Sequence, residues 1–118
     1  MVTLKKSWEF DRVRREGRTW AAGLVVLNAA PSKESIVRCG FIAGKKVGGA
    51  VERNRARRLM REAVRARLTF INPGWDLVWI GRAGIDKANC AKVMDDVNAI
   101  LTRSCLLAQT RTETDPSI

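Results

Sequence analysis

Residues 45–67 constrain the fold more than any other part of this sequence, because they are both strongly basic and regularly patterned. They hold nine Lys and Arg against two acidic residues, and so carry +7 of the chain's formal charge of +10. At about 100° per residue, five arginines and Asn54 share one arc of a helix over about 50–68, with Val64 among them. The opposite side holds Ala56, Leu59, Met60, Ala63 and Ala66. Because such small residues allow close packing, we expect the helix to lie on a β-sheet.

The flanking segments alternate between helical and strand patterns. In chain order, we predict a helix at 8–16 capped by Ser7, strands at 20–30 and 35–43 with a further short strand around 18–22, the basic helix at 50–68, a strand at 75–80, and a helix at 86–108 capped by Asp86. This order predicts an α+β fold, a two-layer α/β sandwich with one mixed sheet and helices mainly on one face. We expect one domain over residues 1–108 and a polar, disordered tail over 109–118.

Several classes of protein are excluded by what the sequence lacks. Histidine is absent, which removes Ser-His-Asp and Cys-His nucleophile pairs and any His-ligated metal. There is no apolar run of about 18 residues and no secretory signal pattern, so we expect a cytoplasmic protein without a membrane partner. The three cysteines form no zinc or redox motif and are interpreted as buried free thiols. The carboxylates Asp76, Asp86, Asp95 and Asp96 are interpreted as turn, cap or solvated helix residues, not as a metal cluster.

The composition of the basic helix favours nucleic acid over an anionic membrane as its partner. Like charges at i, i+4 cost about 0.2–0.5 kcal/mol per pair, so a solvated face would mix signs instead. The helix carries arginines and no lysine, and guanidinium groups bind phosphate bidentately and stack on bases. Bulky apolar residues, which would insert into lipid, are scarce on its other side. Lys45, Lys46 and the backbone N–H groups at the helix start add further donors for phosphate.

The string Lys45-Lys46-Val47-Gly48-Gly49-Ala50-Val51-Glu52-Arg53-Asn54-Arg55-Ala56-Arg57-Arg58-Leu59-Met60-Arg61-Glu62 resembles the signature of the protein subunit of bacterial ribonuclease P. The flanks agree with this family. They are Phe10-Asp11-Arg12-Val13 with Gly17, Arg38-Cys39-Gly40, and Asp76-Leu77-Val78-Trp79-Ile80-Gly81-Arg82. The resemblance extends over about residues 4–107, and its central eighteen residues are the most specific part.

The resemblance implies a fold, a function and two binding surfaces. The fold would contain a left-handed β-α-β crossover, as in the second domain of a small-subunit ribosomal protein, although a right-handed one is the general rule. The chain would be a subunit of an endoribonuclease that removes the 5′ leader of precursor tRNA by hydrolysis. The catalytic RNA would perform the chemistry with Mg²⁺, so the protein would hold no catalytic residue, metal, cofactor or small-molecule substrate. The catalytic RNA would contact Lys45, Lys46, Arg53, Asn54, Arg55, Arg57, Arg58, Arg61 and Arg65, and a leader cleft between the first helix and the sheet would contain Phe10, Arg14 and Arg82.

Some positions depart from the family pattern. Arg14 stands where members often carry a second cleft aromatic, and the chain has no tyrosine. Gly44 and Gly49 replace a common serine and a common polar residue. We therefore expect a less aromatic cleft, and Phe10 has core packing as an open alternative. A ribosomal or RNA-chaperone protein that binds structured RNA without cleavage is the alternative function, followed by an autonomous Mg²⁺-dependent nuclease.

Overall fold

A five-stranded mixed sheet forms the centre of the computed structural model, which describes residues 1–107. The elements, in chain order, are β1 (Val2–Thr3), α1 (Ser7–Glu16), β2 (Arg18–Ala22), β3 (Val25–Pro31), β4 (Val37–Ala43), α2 (Ala50–Arg65), β5 (Trp75–Gly81) and α3 (Cys90–Ser104). Two short 3₁₀ turns, Leu68–Phe70 and Ile85–Lys87, flank β5. The predicted tail at 109–118 lies outside the described residues. No helix within residues 1–107 has the length and hydropathy needed to cross a bilayer.

The strands are ordered β1-β4-β5-β3-β2 across the sheet. β4 and β5 are parallel neighbours, with Val37 opposite Trp75 and Ala43 opposite Gly81. β3 runs antiparallel to β5 and β2. Therefore β4, α2 and β5 form a β-α-β crossover between adjacent parallel strands, as the resemblance implies, and its left hand stays a prediction.

The two faces of the sheet carry different layers. Successive side chains of a strand point to opposite faces, and in β5 Leu77 and Trp79 pack in the large core beneath α2 and α3. Val78 packs on the other face, in a small cluster with Val13 of α1. This arrangement confirms a mixed sheet with helices mainly on one face, and places α1, alone among the helices of residues 1–107, on the opposite face.

The apolar side of α2 packs on the sheet nearly as the pattern predicts. Ala56, Leu59, Met60 and Ala63 are all buried. Val64 is buried as well, although the pattern places it within the arginine arc, because it lies one turn beyond Met60 in the same row. Ala66 is exposed instead, since α2 ends at Arg65.

Several predicted boundaries are wrong for local reasons. The apolar run at 20–30 is the hairpin of β2 and β3, and Gly23 makes the turn at a φ of +54°. The N-cap of α3 is Asn89, whose side chain accepts a bond of 2.9 Å from the Lys92 amide, whereas Asp86 lies in a 3₁₀ turn. The N-cap of α1 is Lys6 rather than Ser7. At α3 the sequence offers two plausible caps close together, Asp86 and Asn89, and the start of α1 differs from the prediction by one residue.

The three cysteines occupy two kinds of environment. Cys39 is buried as predicted, whereas Cys90 and Cys105 are exposed, so the prediction of three buried thiols is wrong for these two. Cys90 begins α3, and Cys105 follows its last turn in the left-handed region at a φ of 59°. Both positions are at helix ends, where side chains reach solvent.

A thiol-labelling experiment is expected to separate the cysteines. Burial raises the pKa of the Cys39 thiol to about 12, so the reactive thiolate is scarce there at neutral pH. We expect mass spectrometry to find iodoacetamide adducts on Cys90 and Cys105 in the folded protein, and on all three cysteines in guanidinium chloride. Labelling of Cys39 at the rate of the other two in the folded chain would contradict its burial.

Candidate nucleic-acid interface

The outward side of α2 presents a nearly continuous cationic surface, here called the α2 basic face. Asn54, Arg58 and Arg65 are exposed along its middle. At one edge of this face Arg61 lies against β4, and at the other edge Arg55 contacts the 3₁₀ turn at 85–87. The members of the face are Arg53, Asn54, Arg55, Arg57, Arg58, Arg61 and Arg65, of which Arg53, Arg57 and Arg61 are half-buried.

The arginines of the α2 basic face are largely free of acidic partners. Among the arginines of this face, only Arg65 forms an ion pair within the described residues, at 3.2 Å from Glu62. Arg57 donates a hydrogen bond to the side chain of Asn54, and Arg55 donates one of 2.7 Å to the Asp86 carbonyl. These neutral acceptors orient guanidinium groups and leave their charge uncompensated, which is unusual for a merely solvated surface.

Arg61 is held by an aromatic ring. Its guanidinium carbon lies 5.5 Å from the centroid of the Phe41 ring, within the range of a cation–π contact. Phe41 belongs to β4, so this contact fixes one arginine of α2 relative to the sheet. The sequence gives no sign of the pair, because it depends on how α2 lies across β4.

The loop before α2 brings two further cations to the surface. Lys45 and Lys46 are exposed, while Val47 between the lysines and the helix is buried and anchors the loop. The carboxylate of Glu52 accepts a hydrogen bond of 2.8 Å from the Gly49 amide. This one donor at the helix start is therefore taken by the chain's own side chain, and the two exposed lysines add charged donors to the loop.

A cleft lies between α1 and the sheet. The space here called the α1 cleft has a volume of about 380 Å³ and is bounded by Phe10 and Arg14 on one side and Ile42 of β4 on the other. An adjoining space of about 620 Å³, here called the loop cavity, shares Ile42 and also contains Arg82. The loop cavity is further lined by Gly44, Lys45, Lys46, Val47, Ile80, Gly81 and Ala83.

This arrangement brings together most of the predicted site residues. Phe10 and Arg14 share the α1 cleft, and Arg82 lies in the next space along the same face of the sheet. Lys45 and Lys46, which the resemblance assigns to the catalytic RNA, also border the loop cavity. The two predicted surfaces thus meet at these lysines.

Phe10 serves both the core and the cleft. It is partly buried against the cluster around Val13 and Val78 and also borders the α1 cleft. A Cβ atom added at Gly40 would lie 2.3 Å from Cε1 of Phe10, so the ring rests directly on the backbone of β4. Ile42, which is 37% exposed, and Ile80 were not identified from the sequence. These two side chains form an aliphatic floor of the groove in place of further aromatic residues.

Arg82 is positioned by the β2–β3 hairpin turn. Its Nη1 atom donates a hydrogen bond of 3.2 Å to the Gly23 carbonyl. Its backbone amide donates a hydrogen bond of 2.9 Å to the Leu24 carbonyl. Asp96 of α3 holds the same turn, because its carboxylate accepts a bond of 2.9 Å from the Leu24 amide. Asp96 is only 5% exposed, so its interpretation as a solvated helix residue is wrong.

Asp76 is also buried, and it lies within β5, so its interpretation as a turn, cap or solvated helix residue is wrong. Arg38 binds it through two hydrogen bonds, Nε to Oδ1 at 2.8 Å and Nη2 to Oδ2 at 2.7 Å, and Arg12 of α1 donates a further one. The hydrogen bonds from Arg38 to Asp76 raise the pKa of the guanidinium. Since α1 and β4 supply the arginines, the acid is paired by residues distant in sequence.

Comparison with known proteins gives the same family as the signature. A family profile described as Ribonuclease P matches residues 1–105. The chain is 42% identical over 112 residues to the ribonuclease P protein component of Chloroflexus aurantiacus, covering 94% of this chain and 83% of that protein. The chain belongs to the ribonuclease P protein component family. Membership of this family implies a role in tRNA processing.

Other ribonuclease P proteins resemble the chain in sequence or in fold. The protein component of Roseiflexus castenholzii is 56% identical over 80 residues, a match that covers 68% of this chain and 66% of that protein. The RNase P protein of Staphylococcus aureus, a solved structure, superposes with a TM-score of 0.81 at 23% identity and covers 91% of this chain and 98% of its own. At that identity the structural likeness shows the fold alone, and it confirms the predicted fold class.

Proposed function

We propose that this chain binds the catalytic RNA of ribonuclease P through the α2 basic face and holds the 5′ leader of precursor tRNA in the α1 cleft and the loop cavity. The observation that carries this proposal is the juxtaposition of two unlike surfaces. An arginine face with one ion pair adjoins a groove with an aromatic side chain and an aliphatic floor. The rim of the groove is mainly cationic, and its one acid, Asp11, is paired with Arg14 at 2.8 Å.

Each surface suits a different form of RNA. Guanidinium groups on a convex helix reach phosphates of folded RNA, where binding depends on charge and shape. The groove instead suits a single strand, because bases stack on Phe10 and lie against Ile42 while Arg14, Arg82 and the loop lysines follow the phosphates. Lys45 and Lys46 border both surfaces and would therefore lie where the leader approaches the catalytic RNA.

We assign the hydrolysis to the RNA and its Mg²⁺ ions. In support, residues 1–107 contain no group of three or more His, Cys, Asp or Glu side chains arranged to hold a metal ion. Asp76 and Asp96 are engaged in structural ion pairs. The described part of the chain thus offers binding surfaces, and Mg²⁺ would assist the holoenzyme through the RNA.

A reconstitution assay tests this proposal. Precursor tRNA is incubated at low Mg²⁺ with the catalytic RNA, with this protein, and with both, and 5′ leader release is followed on a gel. We expect cleavage at the mature 5′ end only with both components. Cleavage by the protein alone would indicate an autonomous nuclease. The absence of any enhancement over the RNA alone would indicate a ribosomal or RNA-chaperone role.

Replacement of Phe10 tests the groove separately. Phe10→Leu keeps an apolar side chain against Gly40 but removes the aromatic face, and stacking is worth about 1–3 kcal/mol per base. We expect the affinity of the holoenzyme for precursor tRNA to fall at least fivefold, with the affinity for mature tRNA unchanged, as measured by equilibrium binding. Equal losses for the two tRNAs would assign Phe10 to the core alone.

A further inference from the structure

One charged network joins α1 to the sheet beneath it. Asp76 of β5 is at its centre and is buried. Arg38 of β4 and Arg12 of α1 both bind its carboxylate. Glu9 of α1 completes the network, with its Oε2 atom 3.3 Å from Nη1 of Arg38.

The network reaches both ends of α1. At the first turn, the Oε1 atom of Glu9 accepts hydrogen bonds from the amides of Lys5 and Lys6, at 3.0 and 2.9 Å. These backbone bonds and Arg38 hold the pKa of Glu9 below its usual value. At the last turn, Nη1 of Arg12 lies 3.1 Å from Glu16 and 3.4 Å from the Pro31 carbonyl at the end of β3. The helix is thus attached to three strands by directional contacts.

Apolar contacts beneath α1 are few by comparison. The buried cluster on this face contains Leu4, Val13, Ala30 and Val78, with Phe10 and Ile80 partly buried at its margin. Apolar contact is not directional, so a cluster of this size fixes the rotation and sliding of a ten-residue helix only weakly. Hydrogen-bonded ion pairs have a defined direction and supply that restraint. Arg12 and Glu9 of α1 each make one, to Asp76 and to Arg38, and Arg38 is itself fixed by its two hydrogen bonds to Asp76 within the sheet.

We infer that Asp76, Arg12, Arg38 and Glu9 act as positioning residues that set the placement of α1, and thereby the width of the α1 cleft for single-stranded RNA. Phe10 and Arg14 form one wall of this cleft from α1, and Ile42 stands opposite on β4. None of the network residues lines this cleft. Arg12 and Arg38 instead line a separate space with Glu16 and Pro31. The influence of the network on RNA would therefore pass through the position of the helix, and this inference rests on the function proposed above.

Arg12→Gln is the most direct test, because Asp76 keeps its two bonds from Arg38 in this variant. Arg12→Lys restores a cation that can reach Asp76 with less defined geometry. Arg15→Gln is the matched control, an exposed arginine on the same helix for which the described structure shows no partner. Ile100→Val removes one methylene from the buried core on the opposite face and controls for a general loss of stability.

Two measurements decide the inference. In the first, the affinity of the reconstituted holoenzyme is compared for precursor and mature tRNA. We expect Arg12→Gln to lower the preference for precursor about tenfold and Arg12→Lys to recover part of it, while both controls retain it. An unchanged preference in Arg12→Gln, or the same loss in Ile100→Val, would overturn the inference.

The second measurement does not depend on RNA. Hydrogen exchange of the free protein should show faster exchange of the α1 amides in Arg12→Gln, with α2 and α3 unchanged. Unchanged α1 exchange would overturn the inference whatever the RNA measurements show. A wild-type holoenzyme with no preference for precursor would overturn the proposed function instead, and the exchange data would still decide whether the network fixes α1.

Discussion

Replacing Arg57, Arg58 and Arg61 together by glutamine is expected to make catalytic-RNA binding less dependent on salt. The slope of log K against log salt concentration should become shallower by about two to three. Each phosphate contact contributes about 0.7–0.9 to this slope through release of counterions. For the wild-type chain, about six such contacts would weaken binding roughly 10³-fold between about 50 and 200 mM salt. Filter binding over this salt range measures both slopes.

The three substitutions should leave the fold of α2 intact. Glutamine has nearly the helix propensity of arginine. Its introduction also removes repulsion between Arg57 and Arg61, which lie four residues apart. Arg58 has no partner in the described structure, Arg57 loses its hydrogen bond to the exposed Asn54, and Arg61 loses its contact with Phe41. The loss of affinity would therefore report on the missing charges.

A control variant with the same change in net charge separates direct phosphate contacts from the general attraction of a basic protein for RNA. Arg15, Arg18 and Lys33 are exposed and lie outside the α2 basic face and the two cavities that form the proposed groove. Their joint replacement by glutamine is expected to change the slope by less than about one unit, because distant charges are screened at these salt concentrations. If the α2 triple variant kept the wild-type slope, its arginines would not touch phosphates.

The α2 basic face could be predicted from the sequence because it depends on local periodicity. A helix places residues three and four apart on one side whatever it packs against. The arginines therefore segregate from Ala56, Leu59 and Met60 before any tertiary contact forms. The tertiary fold decides only which residues at the edges of the two sides are buried, as Val64 and Ala66 show. Helical periodicity cannot predict the contact between Arg61 and Phe41, because Phe41 belongs to β4.

The groove could be predicted only in part, because it depends on three separate elements. Phe10, Ile42 and Ile80 come from α1, β4 and β5, and they meet only once the strand order and register exist. The family resemblance supplied Phe10 and Arg82, whereas Ile42 and Ile80 appear in the sequence as ordinary strand residues. Alternation along β5 separates Ile80 from Trp79 but does not say which face α1 covers.

The buried acids show a further limit of the sequence. An aspartate before an apolar run is usually at a strand end or turn, and one on an amphipathic helix is usually solvated. Asp76 is buried because Arg12 and Arg38 converge on it from α1 and β4. Asp96 is buried because the β2–β3 turn lies over it. Both environments are made by long-range contacts that the local pattern does not contain.

Asp76→Ala is expected to lower the free energy of unfolding by about 3–5 kcal/mol, as is typical when one partner of a buried ion pair is removed. Two guanidinium groups would then be left half-buried without their acceptor. Urea denaturation followed by circular dichroism measures the change. Asp95→Ala is the matched control, an exposed aspartate on α3, and its effect should stay within about 0.5 kcal/mol. A loss for Asp76→Ala no larger than that of the control would contradict the pairing.

A double-mutant cycle with Arg38 separates the pairing from the mere loss of a side chain. Arg38→Met alone removes the two bonds to Asp76 and leaves the carboxylate with Arg12 only. Once Asp76→Ala has already been introduced, Arg38→Met removes a guanidinium that has lost its main partner, so it should cost much less or stabilise the fold. We therefore expect the double variant to be more stable than the sum of the two single losses predicts, by at least about 1 kcal/mol. Additive losses would mean that each side chain contributes by packing alone, because a direct interaction between the two cannot be additive.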